Sequence, residues 1–185
     1  MLSLAMLADV VSAARGFDRI WVLNSDTDAA LVAERAGAEA RPDPAPGRGL
    51  NASLDAATAE AVGLRAEGVL VVAADLAAAT AEDLLALADG TGVALAPDAT
   101  GTGTNALWRS PPDAITSAFG ERSRDAHEHA ANLAGAPFRL AASARLAADV
   151  DTPVALAAVW ALGPGPATRE AMERMGLPVR LRLAG

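Results

Sequence analysis

The stretch that most constrains the fold is Gly68 to Ala79, which reads GVLVVAADLAAA. Its apolar residues run from Val69 to Ala73 without a polar interruption, as is typical of a strand buried on both faces of a sheet. The run stops at Asp75, and a helical pattern with acidic residues in its first turn opens at Thr80. Because ligands of open α/β sheets bind beyond the carboxyl ends of the strands, Asp75 is a candidate Mg²⁺ ligand; the alternative is that it caps a helix or a turn.

Composition bounds the class of protein. With 52% hydrophobic and 21% charged residues, we expect one domain over residues 1–185, with a C-terminal appendage over 163–185. The absence of cysteine excludes disulfides and thiolate zinc sites, and it suits a cytoplasmic protein. The net charge of −8 and the 3% of aromatic residues argue against a nucleic-acid partner. Asp9 interrupts the apolar start of the chain, so we expect no membrane span there.

Helical and strand patterns alternate along the first half of the chain. Apolar positions at helical spacing predict a helix at the start of the chain, closed by Gly16, and helices over 29–36, 50–64 and 80–88. Short apolar runs predict strands over 19–23, 38–41, 69–73 and 93–96. This alternation predicts a mostly parallel sheet with helices on both faces. Further on we expect a glycine-rich loop over 98–106 and a short strand over 138–140. We also expect helices over 119–131, 154–162 and 167–175, and a strand-like end over 177–183.

Two polar segments are candidate phosphate sites. Residues Thr100 to Thr104 read TGTGT, in which glycine lets backbone N–H groups converge and threonine adds hydroxyl donors; the alternative is a plain flexible loop. Gly120 and Ser123 precede a helix that contains His127, and a helix N-terminus can bind phosphate; the alternative is that Ser123 is only the N-cap. His127 can donate to a ligand there, whereas we expect His129 to face solvent.

Asp149 and Asp151 form a second acidic turn. In an extended segment, side chains two residues apart point to the same side, so one or both can face Asp75 and complete a two-carboxylate Mg²⁺ site. The alternative is that Asp151 caps the helix that begins near Pro153, which leaves Asp149 as the ligand. There is no G-x-S-x-G elbow and no G-x-G-x-x-G after a strand, which disfavours covalent acyl chemistry and a dinucleotide fold.

Five segments, in a fixed order along the chain, resemble one known family. They are GLNASLDAA (49–57), VVAADLA (71–77), GTGTNAL (101–107), FGERSRDAH (119–127) and DVDTPVAL (149–156). In this order they resemble the guanylyltransferases of deazaflavin coenzyme F-420 biosynthesis. The tail ALGPGPATR, residues 161–169, is similar to the actinobacterial form of these enzymes.

The resemblance implies a fold, a reaction and its partners. The fold is a three-layer α/β/α arrangement with a Rossmann-like mixed sheet of the nucleotide-diphospho-sugar transferase (GT-A-like) type. The reaction transfers GMP from GTP to the phosphate of phosphoenolpyruvate and releases pyrophosphate. Other acceptors stay open, namely 2-phospho-L-lactate, 3-phosphoglycerate or a molybdopterin. The implied partners are GTP and a small phosphorylated three-carbon acid, with Mg²⁺ as cofactor, and a homodimer is compatible with the sequence.

The resemblance also implies roles for individual residues. The metal-binding positions of the family match three aspartates, of which the first and last are the implied catalytic residues: Asp75, Asp149 and Asp151. The positions that hold the acceptor, above all its phosphate, match a second set: Thr104, Gly120, Ser123 and His127. The turn near the guanine nucleotide matches Gly49 and Asn51.

Three departures from the family pattern accompany these matches. Ala77 stands where the family has a proline. Arg122 replaces the second glycine of FG-x-G-S, so the turn is strained or reshaped if that position needs a positive φ, or else Arg122 adds charge to the phosphate site. The family begins with a strand and a basic loop ahead of the helix at which this sequence opens, and a chain without them is expected to lose most of its activity. The alternative function is therefore a catalytically inactive nucleotide-binding or partner-binding protein.

Overall fold

The computed structural model describes residues 1–177, which fall into two compact units. The first unit comprises Met1–Pro42, Ala73–Leu84 and the described residues from Ala144 to Leu177, and the second comprises Asp43–Val72 and Leu85–Ser143. Of the strand-like end expected over 177–183, all residues but Leu177 lie outside the described residues. Within residues 1–177, no helix combines the length and the apolar character that a membrane span requires.

The first unit contains helices and one pair of strands. Its elements, in chain order, are α1 (Leu2–Ala13), β1 (Trp21–Leu23), α2 (Thr27–Ala36), β2 (Glu39–Arg41), α6 (Pro153–Leu162) and α7 (Pro166–Arg174), with a short 3₁₀ turn over Ala14–Gly16. The strands β1 and β2 pair in parallel. Helix α4 (Ala81–Leu87) starts in this unit and continues past its boundary in the chain.

Helix α1 organises the first unit because both of its sides are buried. On one side Leu7 and Val11 pack against Ala33 and Ala36 of α2. On another side Met6 packs against the segment that follows Asp75 and against α6. These contacts bury apolar side chains at the i and i+4 spacing that the sequence predicts for this helix.

Helix α7 is anchored to α1 through a buried carboxylate. Asp9 is buried on α1, and its two oxygens accept the backbone N–H groups of Ala167 and Thr168, at 3.1 and 2.7 Å. Asp9 thus supplies partners for two of the N–H groups that a helix start leaves free. Gly165 lies against the Asp9 side chain so closely that a Cβ atom there would clash with it.

The second unit is built on a four-stranded mixed sheet. Its elements are α3 (Leu50–Gly63), β3 (Val69–Val72), β4 (Gly92–Pro97), β5 (Thr104–Ser110), α5 (Ser123–Ala134) and β6 (Phe138–Leu140). The strand order is β3-β5-β4-β6. The pairs β3–β5 and β4–β5 are antiparallel, and β4–β6 is parallel. Helix α5 packs on the sheet through Ala131, which contacts the cluster of Val93, Leu95 and Leu107.

The expectation of α/β architecture is confirmed, but two details of it are wrong. The sheet of the second unit is not mostly parallel, because β5 starts inside the segment 98–106 that we expected to be a loop. Only a short turn joins the end of β4 at Pro97 to the start of β5 at Thr104. Two neighbouring strands joined by so short a turn must run antiparallel. Nor is β3 buried on both faces: each of its residues is half-buried, and within the described residues it pairs with β5 alone.

Candidate functional site

Asp75 lies in a turn of the first unit that its neighbours hold in place. The next three residues, 76–78, are buried, and the two alanines among them pack against α1 and α6. The Ala77 N–H donates to the Asp75 carbonyl at 2.9 Å, and the Ala77 carbonyl accepts from the Gly165 N–H at 2.8 Å. A proline at position 77 could not donate the first of these bonds. This departure from the family pattern therefore gives the turn a hydrogen bond of its own.

Asp75, Asp149 and Asp151 form what we call the acidic cluster of the first unit. Burial is the largest cause that raises the pKa of Asp75, and the negative charges of Asp149 and Asp151 raise it further, against a backbone hydrogen bond that lowers it. The Oδ1 atom of Asp75 is buried and has no hydrogen-bond partner among the described residues. Asp75 is thus a carboxylate whose surroundings oppose its negative charge.

The acidic cluster fits a divalent cation bound through one or two carboxylates. A buried polar atom without a partner costs about 1–3 kcal/mol, and a cation would supply the partner while it offsets the repulsion among the aspartates. Mg²⁺ usually takes one or two carboxylates and fills its other positions with water and substrate phosphate. Residues 1–177 contain no group of three His, Cys, Asp or Glu side chains that could hold a metal ion, so the protein would supply at most two carboxylates to such a cation.

Other residues cap the two helices that follow the acidic turns. At α4 the Thr80 Oγ1 accepts from the Asp83 N–H, and an Asp83 oxygen accepts from the Thr80 N–H at 3.1 Å. At α6 the N-cap is Thr152, whose Oγ1 accepts from the Ala155 N–H at 3.1 Å. Asp75 therefore does not cap α4, and the alternative that Asp151 caps α6 is wrong.

In the second unit the fold brings Thr104 and His127 together. Thr104 begins β5, and its Oγ1 lies 3.1 Å from Nδ1 of His127, which is fully buried on α5. The pKa of His127 is lowered to about 4, first by burial and then by the positive charge of Arg109. The Ser123 backbone and Asp55 act in the opposite direction and do not offset these causes. The imidazole is therefore neutral at pH 7.

Asn51 holds the segment that carries Gly120. Its Nδ2 donates to the Phe119 carbonyl at 3.0 Å, and its Oδ1 accepts from the Phe119 N–H at 2.8 Å. The Phe119 ring in turn meets the His127 ring edge-on, with centroids 5.0 Å apart. Asn51, which the resemblance places near the nucleotide, thus uses its amide on the backbone beside Gly120. Gly49 lies two residues earlier, as the exposed N-cap of α3 with a φ of 88°.

Ser123 and Gly120 lie at the start of α5. Ser123 is buried, and its N–H donates to the Gly120 carbonyl at 3.2 Å. The N-cap of α5 is Arg122, so the alternative that Ser123 is the N-cap is wrong. Arg122 has a φ of 52°, which confirms that the position given to glycine in the family takes a left-handed conformation here. Its guanidinium pairs with Asp125 at 2.7 Å on the surface.

The donors of the glycine-rich segment before β5 are occupied by a carboxylate of the protein itself, that of Asp98. An oxygen of Asp98 accepts from the N–H groups of Thr102 and Gly103, at 2.9 and 3.0 Å, and from the hydroxyl of Thr100. Burial acts to raise the pKa of Asp98, but these hydrogen bonds outweigh it and the pKa is lowered. The convergent donors that the sequence predicts do exist, and within the described residues the Asp98 carboxylate is their partner.

Two further residues that sequence reasoning missed hold the segment before Gly120. Arg109 is buried on β5 and donates to the Ile115 carbonyl at 2.9 Å and to the Thr58 hydroxyl at 2.8 Å. Asp55 lies 3.9 Å from the Arg109 guanidinium and accepts from the Ser117 N–H at 2.8 Å. An arginine directly after the apolar residues 106–108 is the sequence signal that could have found this pair, because an unpaired buried charge is too costly to keep. His129, as expected, is exposed.

These features define a mixed α/β protein with the acidic cluster in one unit and, in the other, the pair of Thr104 and His127, which we call the hydroxyl–imidazole site. Comparison with known proteins then gives the family. Over residues 1–184 the chain matches the family described as guanylyl transferase CofC like. The protein belongs to this family.

Curated relatives are similar over most of this chain. A protein of Sphaerobacter thermophilus is 40% identical over 79% of this chain and 71% of its own length. One of Geodermatophilus obscurus is 42% identical over 90% of this chain and 76% of its own length. One of Rhodococcus erythropolis is 35% identical over 94% of this chain and 84% of its own length. Each is named phosphoenolpyruvate guanylyltransferase.

Proposed function

We propose that this protein transfers GMP from GTP to the phosphate of phosphoenolpyruvate, in the biosynthesis of coenzyme F-420. An oxygen of the acceptor's phosphate forms a bond to the α-phosphorus of GTP, the bond from that phosphorus to the β-phosphate oxygen breaks, and pyrophosphate leaves. Family membership and the names of the relatives support this activity. The structural observation that carries the proposal is the buried Oδ1 of Asp75, which lacks a partner while two further carboxylates repel its charge.

In the proposed mechanism the acidic cluster is the cation site. Asp75 and Asp151 are proposed as the catalytic residues, and Asp149 as an alternative second ligand of the cation. Mg²⁺ bound there would offset the charge that develops on the phosphates as pyrophosphate departs. The buried residues 76–78 hold the Asp75 turn in place, so this carboxylate would not have to reorganise during the reaction.

The acceptor is proposed to bind in the second unit. The Thr104 hydroxyl, Ser123 and the turn at Gly120 would hold its phosphate, and His127 would orient this site. Gly49 and Asn51 are proposed to act near the guanine nucleotide, with Asn51 acting through the backbone of Phe119. The GT-A-like Rossmann fold type and a cytoplasmic location are part of the same proposal; the alternation of helices and strands and the cysteine-free sequence support them.

The test is a transfer assay with several acceptors. The purified protein is incubated with GTP, Mg²⁺ and either phosphoenolpyruvate, 2-phospho-L-lactate or 3-phosphoglycerate, and pyrophosphate and product mass are measured. We expect pyrophosphate to appear together with the GMP adduct of phosphoenolpyruvate. If another acceptor forms its GMP adduct faster, that acceptor is the substrate, and the proposed guanylyl transfer still stands. GTP binding in a calorimeter without turnover with any acceptor would contradict the proposal and favour a catalytically inactive nucleotide-binding protein.

A matched pair of variants tests the structural part of the proposal. Asp75→Asn removes the negative charge of the partnerless carboxylate, and Asp18→Asn removes that of an exposed aspartate in the same unit. We expect the first variant to lose transfer activity and the second to keep it, with both still folded by circular dichroism. Full activity of Asp75→Asn would remove Asp75 from the mechanism.

A further inference from the structure

The hydrogen bonds around His127 decide which of its two ring nitrogens carries the proton. Nε2 lies 2.9 Å from the backbone nitrogen of Ala118, and an amide N–H can only donate. Nε2 must therefore present its lone pair to this donor. A neutral imidazole has one N–H, so the proton is on Nδ1.

This tautomer in turn fixes the role of the Thr104 hydroxyl. Oγ1 of Thr104 lies 3.1 Å from His127 Nδ1, and a protonated Nδ1 can only donate to it. The hydroxyl oxygen is then an acceptor toward His127, and its own proton must point elsewhere. Within residues 1–177, His127 is the one side chain that hydrogen-bonds the Thr104 hydroxyl. Thr104 is partly exposed at the start of β5, so this proton is available to a ligand.

We infer that His127 is a positioning residue: its Nδ1–H holds the Thr104 hydroxyl so that this hydroxyl donates its proton to the phosphate of the acceptor. The inference rests on the proposed function, in which Thr104 belongs to the acceptor site. It assigns phosphate recognition to an oriented neutral hydroxyl and not to an imidazolium. His127 itself, fully buried, does not have to touch the substrate.

The surroundings of the ring keep it neutral and fixed in place. The low pKa of His127 means that the ring does not gain a second proton near pH 7, so the Ala118 N–H never faces an opposing N–H. The charged side chains that act on the ring are Arg109, which disfavours protonation, and Asp55, which favours it. The edge of the Phe119 ring packs against the imidazole, and Asn51 holds Phe119 from the other side. A ring fixed in this way can transmit a fixed direction to Thr104.

A double-mutant cycle separates positioning from a purely structural role. Thr104→Val removes the hydroxyl, Thr104→Ser keeps it, and His127→Gln removes the imidazole. Since a hydrogen bond to a charged group is lost, we expect Thr104→Val to raise the KM for phosphoenolpyruvate about 10- to 100-fold while the KM for GTP stays the same, and Thr104→Ser to restore most of it. His127→Gln should raise the same KM but add little in the Thr104→Val background. The control is His129→Gln, an exposed histidine two residues away on the same helix, with wild-type kinetics expected.

Two outcomes of these kinetics would overturn the inference. One is a His127→Gln effect that multiplies fully with that of Thr104→Val, because the two residues would then act independently. The other is an unchanged KM in Thr104→Val. If the wild-type protein turns over no acceptor, the proposed function fails instead.

Nitrogen NMR of the imidazole tests the tautomer without activity and without a variant at position 127. The chain contains two histidines, so ¹⁵N-histidine labelling of His129→Gln leaves the signals of His127 alone. At pH 7 we expect a neutral ring protonated at Nδ1, and a shifted Nδ1 signal when phosphoenolpyruvate is added. A ring protonated at Nε2, a doubly protonated ring, or no response to phosphoenolpyruvate in a protein that turns it over would each overturn the inference.

Discussion

The acidic cluster and the hydroxyl–imidazole site respond to burial in different ways. Burial is the first cause of the shifted pKa in both Asp75 and His127, and in both it favours the neutral form. Neutral His127 uses both ring nitrogens in hydrogen bonds, to Ala118 and Thr104. Asp75 leaves a buried oxygen without a partner among the described residues and lies in the field of two like charges.

This difference indicates which part of the proposed site needs its ligand in order to be complete. The hydroxyl–imidazole site is organised by the protein alone, because both ring nitrogens of His127 have partners and only the Thr104 hydroxyl proton is left for the acceptor. The acidic cluster is not, because its electrostatic repulsion persists until a cation binds or a carboxylate takes up a proton. We therefore expect a cation to stabilise the first unit, and an acceptor to find the second unit already arranged for binding.

The largest effect is expected from Asp75→Asn. Without one of the proposed cation ligands, transfer activity should fall by about 10²–10³-fold or more, because charge stabilisation in the transition state is lost. The free energy of unfolding without metal should not decrease, since the change removes repulsion from the acidic cluster. Thermal melting with and without Mg²⁺ checks this: the wild type and Asp18→Asn should gain stability from the ion, and Asp75→Asn should not. A clear loss of stability in metal-free Asp75→Asn would contradict the comparison.

The next effect is a loss of stability in acid that comes from His127. The unfolded chain binds a proton to this histidine below pH 6.5, whereas the folded protein does so only below about pH 4, so the unfolded state binds more protons between these values. The free energy of unfolding should therefore fall as the pH drops through this window, by at most about 3 kcal/mol from this group. Denaturant unfolding at pH 7.5 and 4.5 measures the loss, which should be smaller in His127→Gln and unchanged in His129→Gln. Equal losses in all three proteins would mean that other groups carry the acid sensitivity.

Asn51→Ala should cost less, and it tests whether the second unit really is organised in advance. The variant leaves the N–H and the carbonyl of Phe119 without their shared partner, which should lower the free energy of unfolding by about 1–3 kcal/mol. Because Phe119 precedes Gly120, the KM for the acceptor should rise as well. Denaturant unfolding and steady-state kinetics measure both quantities. A stable variant with a normal KM would show that the Phe119 backbone needs no such support.

The smallest effect is expected from Arg122→Gly. A left-handed conformation costs a non-glycine residue about 1–2 kcal/mol, and the exposed pair with Asp125 returns only about 0–1 kcal/mol. Glycine also loses more backbone entropy on folding, about 0.5–1 kcal/mol, so it should stabilise the protein by about 1 kcal/mol or less. The change in denaturation midpoint measures it, with Arg65→Gly as the comparison, since Arg65 also has a positive φ. A destabilised Arg122→Gly would mean that the pair with Asp125 matters more than the backbone strain.

Local elements could be predicted from the sequence because local signals define them. Gly37 and Gly135 end helices in the left-handed conformation expected of glycine at that position. The predicted helix over 50–64 is observed as Leu50–Gly63, and the predicted strand over 138–140 as Phe138–Leu140. The position of Asp75 shortly after an apolar strand could also be predicted: the strand ends at Val72, and Asp75 follows after two alanines.

Pairings between distant residues could not be predicted in this way. No local signal in the sequence predicts that Thr104 starts a strand. The segment is a strand because its backbone hydrogen-bonds to β3 and β4. No residue near Asn51 predicts that its side-chain amide hydrogen-bonds the backbone of Phe119, which lies 68 positions further along the chain. The partner of the glycine-rich donors, Asp98, lies beside them in sequence, but the loop conformation that brings them together does not follow from composition.

The sequence by itself determined the family, the order of most elements and the chemical types of the candidate residues, because these depend on residue identity and short-range spacing. The tertiary structure alone decided how those residues are satisfied: that Asp75 keeps an unpaired buried oxygen, and that His127 presents its Nδ1–H to Thr104. The physical reason is that burial and hydrogen bonding are properties of the neighbours a residue acquires on folding, and those neighbours come from remote parts of the chain.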